Sequence, residues 1–262
     1  MDDLALALRM ADAADAISID RFLASDLVVE TKPDMTPVSD ADRAVEERLR
    51  EILATERRGD AILGEEFGSR ADRLDNPREW IIDPIDGTKN FVRGVPVWAT
   101  LIALRQGSNF SVGVVSAPAL GRRWWASEDA GAFVAAPPDS STRGPLRASQ
   151  VASIADASFA FSDAIGWPAG ALDRMLTSTW RQRGYGDFWS HLMVAEGVVD
   201  IAAEPALRLH DVAALIPIVE QAGARIATFD GGEIPWNDPT REFSAVTTNH
   251  LLHNSVIDLL QT

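Results

Sequence analysis

Cysteine is absent from the 262 residues. No disulfide, no thiolate nucleophile and no Cys-based zinc site can form. Positive charge is scarce: 24 Lys and Arg stand against 39 Asp and Glu, a formal net charge of −15, and the pI is near 4.6. A field of that sign repels nucleic acid and anionic membrane, so neither is expected as a partner. It also repels a phosphorylated ligand unless cations intervene. Long apolar runs are missing too. The most apolar stretches, such as Val95–Leu104, extend over about ten residues, where a membrane-spanning helix needs about 20. The N-terminal MDDLALALRM has no basic start ahead of an apolar core and does not read as a signal peptide. A cytoplasmic protein is the default expectation.

What is present suffices for a sizeable core: 46% of the residues are hydrophobic. The length fits one large α/β domain or two compact halves sharing an interface. Leu and Ala recur at helical spacing from Leu4 to Ala24. Ser39-Asp40-Ala41-Asp42 is a capping box that opens a second helix, with Val45, Leu49, Ile52 and Leu53 on one face. The linker Thr31–Pro37 between them is polar and broken by proline. The period then changes to that of strands, at Ala61–Glu66, Trp80–Ile85, Trp98–Arg105, Ser111–Pro118, Arg123–Ser127 and Gly131–Ala135.

The Pro/Ser/Gly-rich Pro137–Pro145 marks a surface loop near a boundary. Beyond it, strands (Ala157–Ser162, Trp180–Tyr185, Val199–Ala203, Arg225–Phe229, Ala245–Thr248) alternate with helices (Ala169–Thr179, Asp187–Glu196, Val212–Ala222, His250–Leu260). That alternation favours a partly parallel sheet covered by helices. The expected organisation is therefore mixed α/β (α+β). Residues 1–145 supply helices and an antiparallel sheet, and residues 146–262 a mixed α/β half.

Chemistry concentrates in Trp80-Ile81-Ile82-Asp83-Pro84-Ile85-Asp86-Gly87-Thr88-Lys89-Asn90. Asp83 and Asp86 are too close to be alternate residues on one strand face, so the chain must bend at Pro84. That bend can aim both carboxylates and the Ile85 carbonyl at one point, the oxygen donors that hard cations such as Mg²⁺ prefer. Gly87 and Thr88 would then open a helix whose free N–H groups can hold a phosphate. An EF-hand loop is excluded, because it needs acids at alternate positions and Gly at the sixth. A haloacid-dehalogenase-type Asp-x-Asp nucleophile is excluded as well, because Pro84 stands two residues before Asp86. A surface turn rich in Asp and Gly also accounts for the segment taken alone. Likewise Asp211 in Leu209-His210-Asp211-Val212 reads locally as a helix cap, Asp40 as part of its capping box, and Glu65 and Glu66 as solvated loop acids.

Taken together and in order, Gly64-Glu65-Glu66, Asp83-Pro84-Ile85-Asp86-Gly87-Thr88, Asp211-Val212-Ala213-Ala214 and Glu220-Gln221-Ala222-Gly223 resemble the motifs of the inositol monophosphatase-like superfamily along nearly the whole chain. The resemblance implies a layered αβαβα sandwich of the inositol monophosphatase/fructose-1,6-bisphosphatase type, a homodimer, and metal-dependent hydrolysis of a small-molecule phosphate monoester. It implies two or three Mg²⁺ per site, with Mn²⁺ as a substitute. Glu65, Asp83 and the Ile85 carbonyl would hold one ion, and Asp83, Asp86 and Asp211 the second. Asp40 would be an outer carboxylate, Thr88 with Glu65 would activate the attacking water, and the Gly87 and Thr88 amides would hold phosphate.

Within that superfamily the chain is similar to the actinobacterial histidinol-phosphate phosphatases. The stretches that carry this are Thr31–Asp42, Asp86–Leu104, Ser116–Ala126, Tyr185-Gly186-Asp187-Phe188 and Val194–Pro205. It implies hydrolysis of L-histidinol phosphate in histidine biosynthesis, with inositol 1-phosphate or another small phosphate ester as the alternative. Asp187 and Glu204 can pair with the leaving group's cationic nitrogens, and Asn90 can hydrogen-bond it; the same residues also suit inositol hydroxyls. His210 and His191 depart from that group's usual Trp and Tyr. Both read as half-buried, hydrogen-bonded histidines rather than metal ligands, because carboxylates already fill the site.

Overall fold

The structure is a computed structural model that describes residues 1–33, 35–70, 78–128, 130–136 and 141–261. Asp34 of the linker and residues 137–140 of the Pro/Ser/Gly-rich segment lie outside the described residues.

Helix α1 runs from Asp3 to Arg21 and starts where the Asp2 side chain accepts from the Ala5 N–H. The linker that follows is a short antiparallel hairpin rather than plain loop, with β1 at Val29–Thr31 and β2 at Pro37–Ser39. The expected capping box then forms. Ser39 and Asp42 satisfy each other's backbone N–H groups and open α2, Asp40–Glu56. Strands β3 (Ala61–Gly64), β4 (Gly68–Arg70) and β5 (Arg78–Asp86), the short helix α3 (Thr88–Arg93), and strands β6 (Ala99–Gln106), β7 (Asn109–Ala117), β8 (Arg122–Ser127), β9 (Gly131–Ala136) and β10 (Ser141–Arg143) complete the first half. Among the described residues they form an eight-stranded sheet in the order β10-β9-β8-β7-β6-β5-β3-β4. It is antiparallel except for the β3–β5 pair.

The second half holds β11 (Ser158–Phe161), α4 (Ala171–Ser178), β12 (Arg181–Gly184), α5 (Asp187–Ala195), β13 (Ile201–Leu207), α6 (Leu209–Val212), α7 (Leu215–Gln221), β14 (Ala224–Ala227), β15 (Phe243–Asn249) and α8 (His253–Gln261). Its sheet runs β12-β11-β13-β15-β14. The strand β11 is parallel to both of its neighbours and the remaining pairs are antiparallel.

Side-chain alternation stacks these elements into layers. On β5, Trp80 and Ile82 pack against Leu6, Met10, Leu49 and Leu53 of α1 and α2. Ile81, between them, joins Leu192, Val194, Leu215 and Ile218 of α5 and α7. Both faces of the strand are covered, so it reads as a continuous apolar run rather than an alternating one. The far face of the small sheet, with Phe159, Ile201, Ala203 and Val246, packs on Met175, Val256 and Leu260 of α4 and α8. The result is the expected α, β, α, β, α order.

The expected helix Val212–Ala222 forms as α7 from Leu215, and Val212 instead ends the short preceding helix α6. Pro217 has no N–H to bond the Ala213 carbonyl and its ring crowds the turn before it. The backbone there also turns toward the large sheet: a Cβ on Gly113 would lie 2.2 Å from the Ala214 carbonyl oxygen. Glycine at 113 thus permits the contact that seats the helix carrying Asp211 on the sheet carrying Asp83.

Candidate active site

The bend expected at Pro84 is a β-bulge. On β5 the register passes from Asp83↔Leu101 to Asp86↔Ala99, so β5 carries one residue more than β6 across that interval. Thr100 fixes it, its hydroxyl donating to the Pro84 carbonyl at 2.8 Å. The bulge turns Asp83 and Asp86 toward the same side. Asp211 arrives from α6, where it also accepts from the Arg208 N–H at 2.5 Å. The capping bond and proximity to the other acids, which read as alternatives in the sequence, occur together. One carboxylate oxygen from each of Asp83, Asp86 and Asp211 lies within 4.8 Å of the others.

Such a cluster is unfavourable without a cation. Burial pushes the Asp83 carboxyl well above the usual range, and the neighbouring charges of Glu65, Asp86 and Asp211 push it further. Asp86 rises for the same reasons, with Asp187 and Asp211 as its charged neighbours. Asp83 is 2% exposed, and its Oδ1 has no hydrogen-bond partner. Buried like charges with an unsatisfied acceptor suit hard cations, which take several carboxylate oxygens at once. The donor set therefore fits the Mg²⁺ expected from the sequence.

Glu65 follows β3, its N–H donating to the Ile82 carbonyl at 3.2 Å. Its Oε1 accepts from the Lys32 ammonium at 2.8 Å, and the same ammonium reaches Glu66 at 2.5 Å. Glu46, absent from the expected site, holds this turn in place. Its buried carboxylate accepts from the N–H groups of Glu66 (2.7 Å) and Phe67 (3.2 Å) and pairs with Arg50. The available signal was an acid on the otherwise apolar face of α2, one position after Val45.

Asp40 is placed differently from expectation. It faces Arg21 at 2.8 Å, and the carboxylate that meets Thr88 belongs to Asp42. The Thr88 hydroxyl lies 3.2 Å from Asp42 Oδ1 and 3.0 Å from the Ile85 carbonyl. Helical geometry decides this: Asp40, the first residue of α2, turns outward, while Asp42, at the third position, faces Ser39 and the interior. Burial raises the Asp42 carboxyl, against the lowering effect of its bonds to Ser39.

Two hollows meet at Asp86 and Asp211. One, of about 830 Å³, is lined by Lys32, Glu65, Glu66, Thr88, Arg208 and His210. The other, of about 620 Å³, is lined by Lys89, Asn90, Ser162, Tyr185, Asp187 and Glu204. Asp187 does not cap its helix. It adopts φ 52°, a left-handed conformation costing a non-glycine residue of order 1–3 kcal/mol, and accepts from the Asn90 amide at 2.9 Å. Burial pushes Asp187 up to about 6 and Glu204 up to about 8. Glu204 accepts from the Ser162 hydroxyl, and its Oε1 is buried without a partner.

His191 is 1% exposed, deeper than expected, with Nδ1 2.8 Å from the Thr247 hydroxyl. Burial pushes it down to about 4. A histidine held neutral in the fold gives full stability above its unfolded value near 6.5 and loses it as pH falls from there toward 4. Lowering pH from 7.5 to 5 should therefore cost about 2 kcal/mol through this group. The buried carboxyls respond in the opposite sense, so the measurement is a difference. Urea midpoints at both pH values should show His191→Gln losing less stability on acidification than the parent; equal losses would refute it.

Comparisons with known proteins give the family and the fold. The inositol monophosphatase family model matches residues 3–261. A histidinol-phosphatase of Streptomyces coelicolor is 53% identical, covering 99% of this chain and 97% of its own. One from Mycobacterium tuberculosis is 52% identical, with 99% and 98% covered. Among solved structures, an IMPase of Thermotoga maritima superposes with a TM-score of 0.86 at 26% identity, covering 99% of this chain and 97% of that one.

Proposed function

The chain belongs to the inositol monophosphatase family, and on that footing we propose that it hydrolyses L-histidinol phosphate to L-histidinol and phosphate. It is a metal-dependent phosphoric monoester hydrolase. Mg²⁺ is the proposed ion, held by Asp83, Asp86 and Asp211, with Glu65 and the Ile85 carbonyl as further donors. The observation that carries this reading is the convergence of Asp83, Asp86 and Asp211 in a chain sharing half its residues with the histidinol-phosphatases.

When bound, divalent cations there neutralise the phosphate and make water a nucleophile near neutral pH. The chain's own groups orient the reactants. The Thr88 hydroxyl donates to Asp42, which leaves its oxygen free to accept from the attacking water. The Gly87 and Thr88 amides bind phosphate oxygens. Glu65 takes part in drawing off the water's proton. No Ser, Cys or His nucleophile is required, because phosphoryl transfer depends mainly on positioning and charge stabilisation. On the leaving-group side, Asp187 and Glu204 pair with the ammonium and imidazole of histidinol, and Asn90 holds Asp187 in its strained conformation.

The test is phosphate release with Mg²⁺ from histidinol phosphate, inositol 1-phosphate, fructose 1,6-bisphosphate and 3′-phosphoadenosine 5′-phosphate. Histidinol phosphate should lead in kcat/KM, and EDTA should remove the activity. Glu204→Gln should lower kcat/KM for histidinol phosphate about ten- to a hundredfold, the 1.5–3 kcal/mol of a hydrogen bond to a charged group. The inositol ester should be less affected. A flat substrate profile, or a leading polyol phosphate, would reject the histidinol reading.

A further inference from the structure

We propose that His210 is a ligand of the ion held by Glu65 and Asp83, and that its imidazole tilts that position toward borderline divalent ions such as Co²⁺ over Mg²⁺. The inference rests on the metal-dependent reading above and extends it to a residue expected to be only structural.

Two groupings of potential donors exist among the described residues: Asp83, Asp86 and Asp211, and separately Glu65, Asp83 and His210. In the second, a ring nitrogen and one oxygen from each acid all lie within 4.8 Å of one another. Donors about 2.0–2.2 Å from a shared ion stand at most about 4.4 Å apart, so side-chain shifts of a few tenths of an ångström close the set. Asp83 joins both groupings, and its unpartnered Oδ1 is available to an ion.

His210 is built into the place. It sits in α6 directly before Asp211, on the turn that the Arg208–Asp211 bond fixes. Its side chain is 11% exposed, and its Nε2 is 3.6 Å from Asp211 Oδ1, too far for a hydrogen bond. The imidazole is therefore held over the acids without being consumed by one of them. Positive charge is already drawn to this spot, since the Lys32 ammonium rests on Glu65 at 2.8 Å.

The chemical consequence follows from donor type. All-oxygen sites suit Mg²⁺, while an imidazole nitrogen raises affinity along the first-row series and leaves Mg²⁺ little changed. The position formed by Asp83, Asp86 and Asp211 contains only oxygen donors and should keep its Mg²⁺ preference. The chain would thus present one oxygen-only and one mixed nitrogen–oxygen position, bridged by Asp83.

The test is direct binding of Mg²⁺ and of Co²⁺ to the metal-free protein by titration calorimetry, with the visible absorption of bound Co²⁺ as a ligand-sensitive signal. His210→Phe and His210→Gln should weaken the tighter Co²⁺ step about tenfold or more. They should alter the Co²⁺ spectrum and change Mg²⁺ binding less than about threefold. The Gln variant, close in size and polar, guards against a packing artefact of Phe, and melting curves in EDTA confirm folding of both. Unchanged Co²⁺ affinity and spectrum in both variants would overturn the role of His210 alone. Equal weakening of both ions would overturn the selectivity. Absence of any divalent binding to the parent protein would overturn the cation site itself, and with it the wider reading.

Discussion

Asp83→Asn is expected to lower kcat about a thousandfold at saturating Mg²⁺, the effect of losing several kcal/mol of charge stabilisation, while leaving the fold intact or firmer. Asp83 is the carboxylate shared by both groupings of donors, so neutralising it weakens each. The same substitution relieves an unfavourable arrangement in the metal-free protein, because Asp83 is buried and surrounded by Glu65, Asp86 and Asp211. Asn keeps the shape and one acceptor oxygen. Its melting temperature in EDTA should equal or exceed the parent's, and the rise that Mg²⁺ gives the parent should shrink. The paired measurement separates the causes. Lost activity with a lower melting temperature in EDTA would point to structural damage, and retention of more than about a tenth of the activity would sink the ligand assignment.

Gly64→Ala should damage the site without touching any proposed ligand. Glycine 64 is not needed for a left-handed backbone; it is needed because a Cβ there would lie 1.9 Å from Glu46 Oε1. Glu46 cannot swing aside without loss, since its carboxylate is fully buried and bound to the Glu66 and Phe67 N–H groups and to Arg50. Overpacking of this kind costs about 1–3 kcal/mol. Displacing Glu46 also releases the turn that aims Glu65, and loss of such a supporting contact weakens metal binding about 10–100-fold. Urea denaturation should show the first effect, and the Mg²⁺ concentration for half-maximal activity the second. Glu46→Gln, which leaves the glycine untouched and keeps one acceptor, should reproduce part of the second. Parental stability and Mg²⁺ dependence in Gly64→Ala would refute the contact's importance.

Much of the fold was legible because hydrophobic period reports burial directly. The amphipathic face of α2, its capping box and the apolar core of β5 are local patterns, and each element formed within a few residues of its expected bounds. The misses have two causes. Strands β4 and β10 are three residues each and owe their conformation to a neighbouring strand, not to their own composition. The division between α6 and α7 depends on Pro217, whose effect falls on the carbonyl four residues earlier, inside a stretch that otherwise reads as continuous helix.

The sequence by itself picked out the candidate groups for the chemistry. Acids spaced around a proline bend and a Gly-Thr turn supply the oxygen donors that hard cations take, and the resemblance of the ordered motifs to the inositol monophosphatase-like superfamily joined Asp211 to them. Tertiary structure decided where each acid points. Asp42, the N3 acid of the capping box, turns inward to Ser39 and Thr88 while Asp40, at the first helical position, meets Arg21, because side chains two residues apart on a helix point in widely different directions. Glu46 became a support of Glu65, and His210 a neighbour of Asp83, only when α2, β3 and α6 were packed around the end of β5. Those relations join residues separated by tens to more than a hundred positions, and packing against a common core, rather than local pattern, sets such distances.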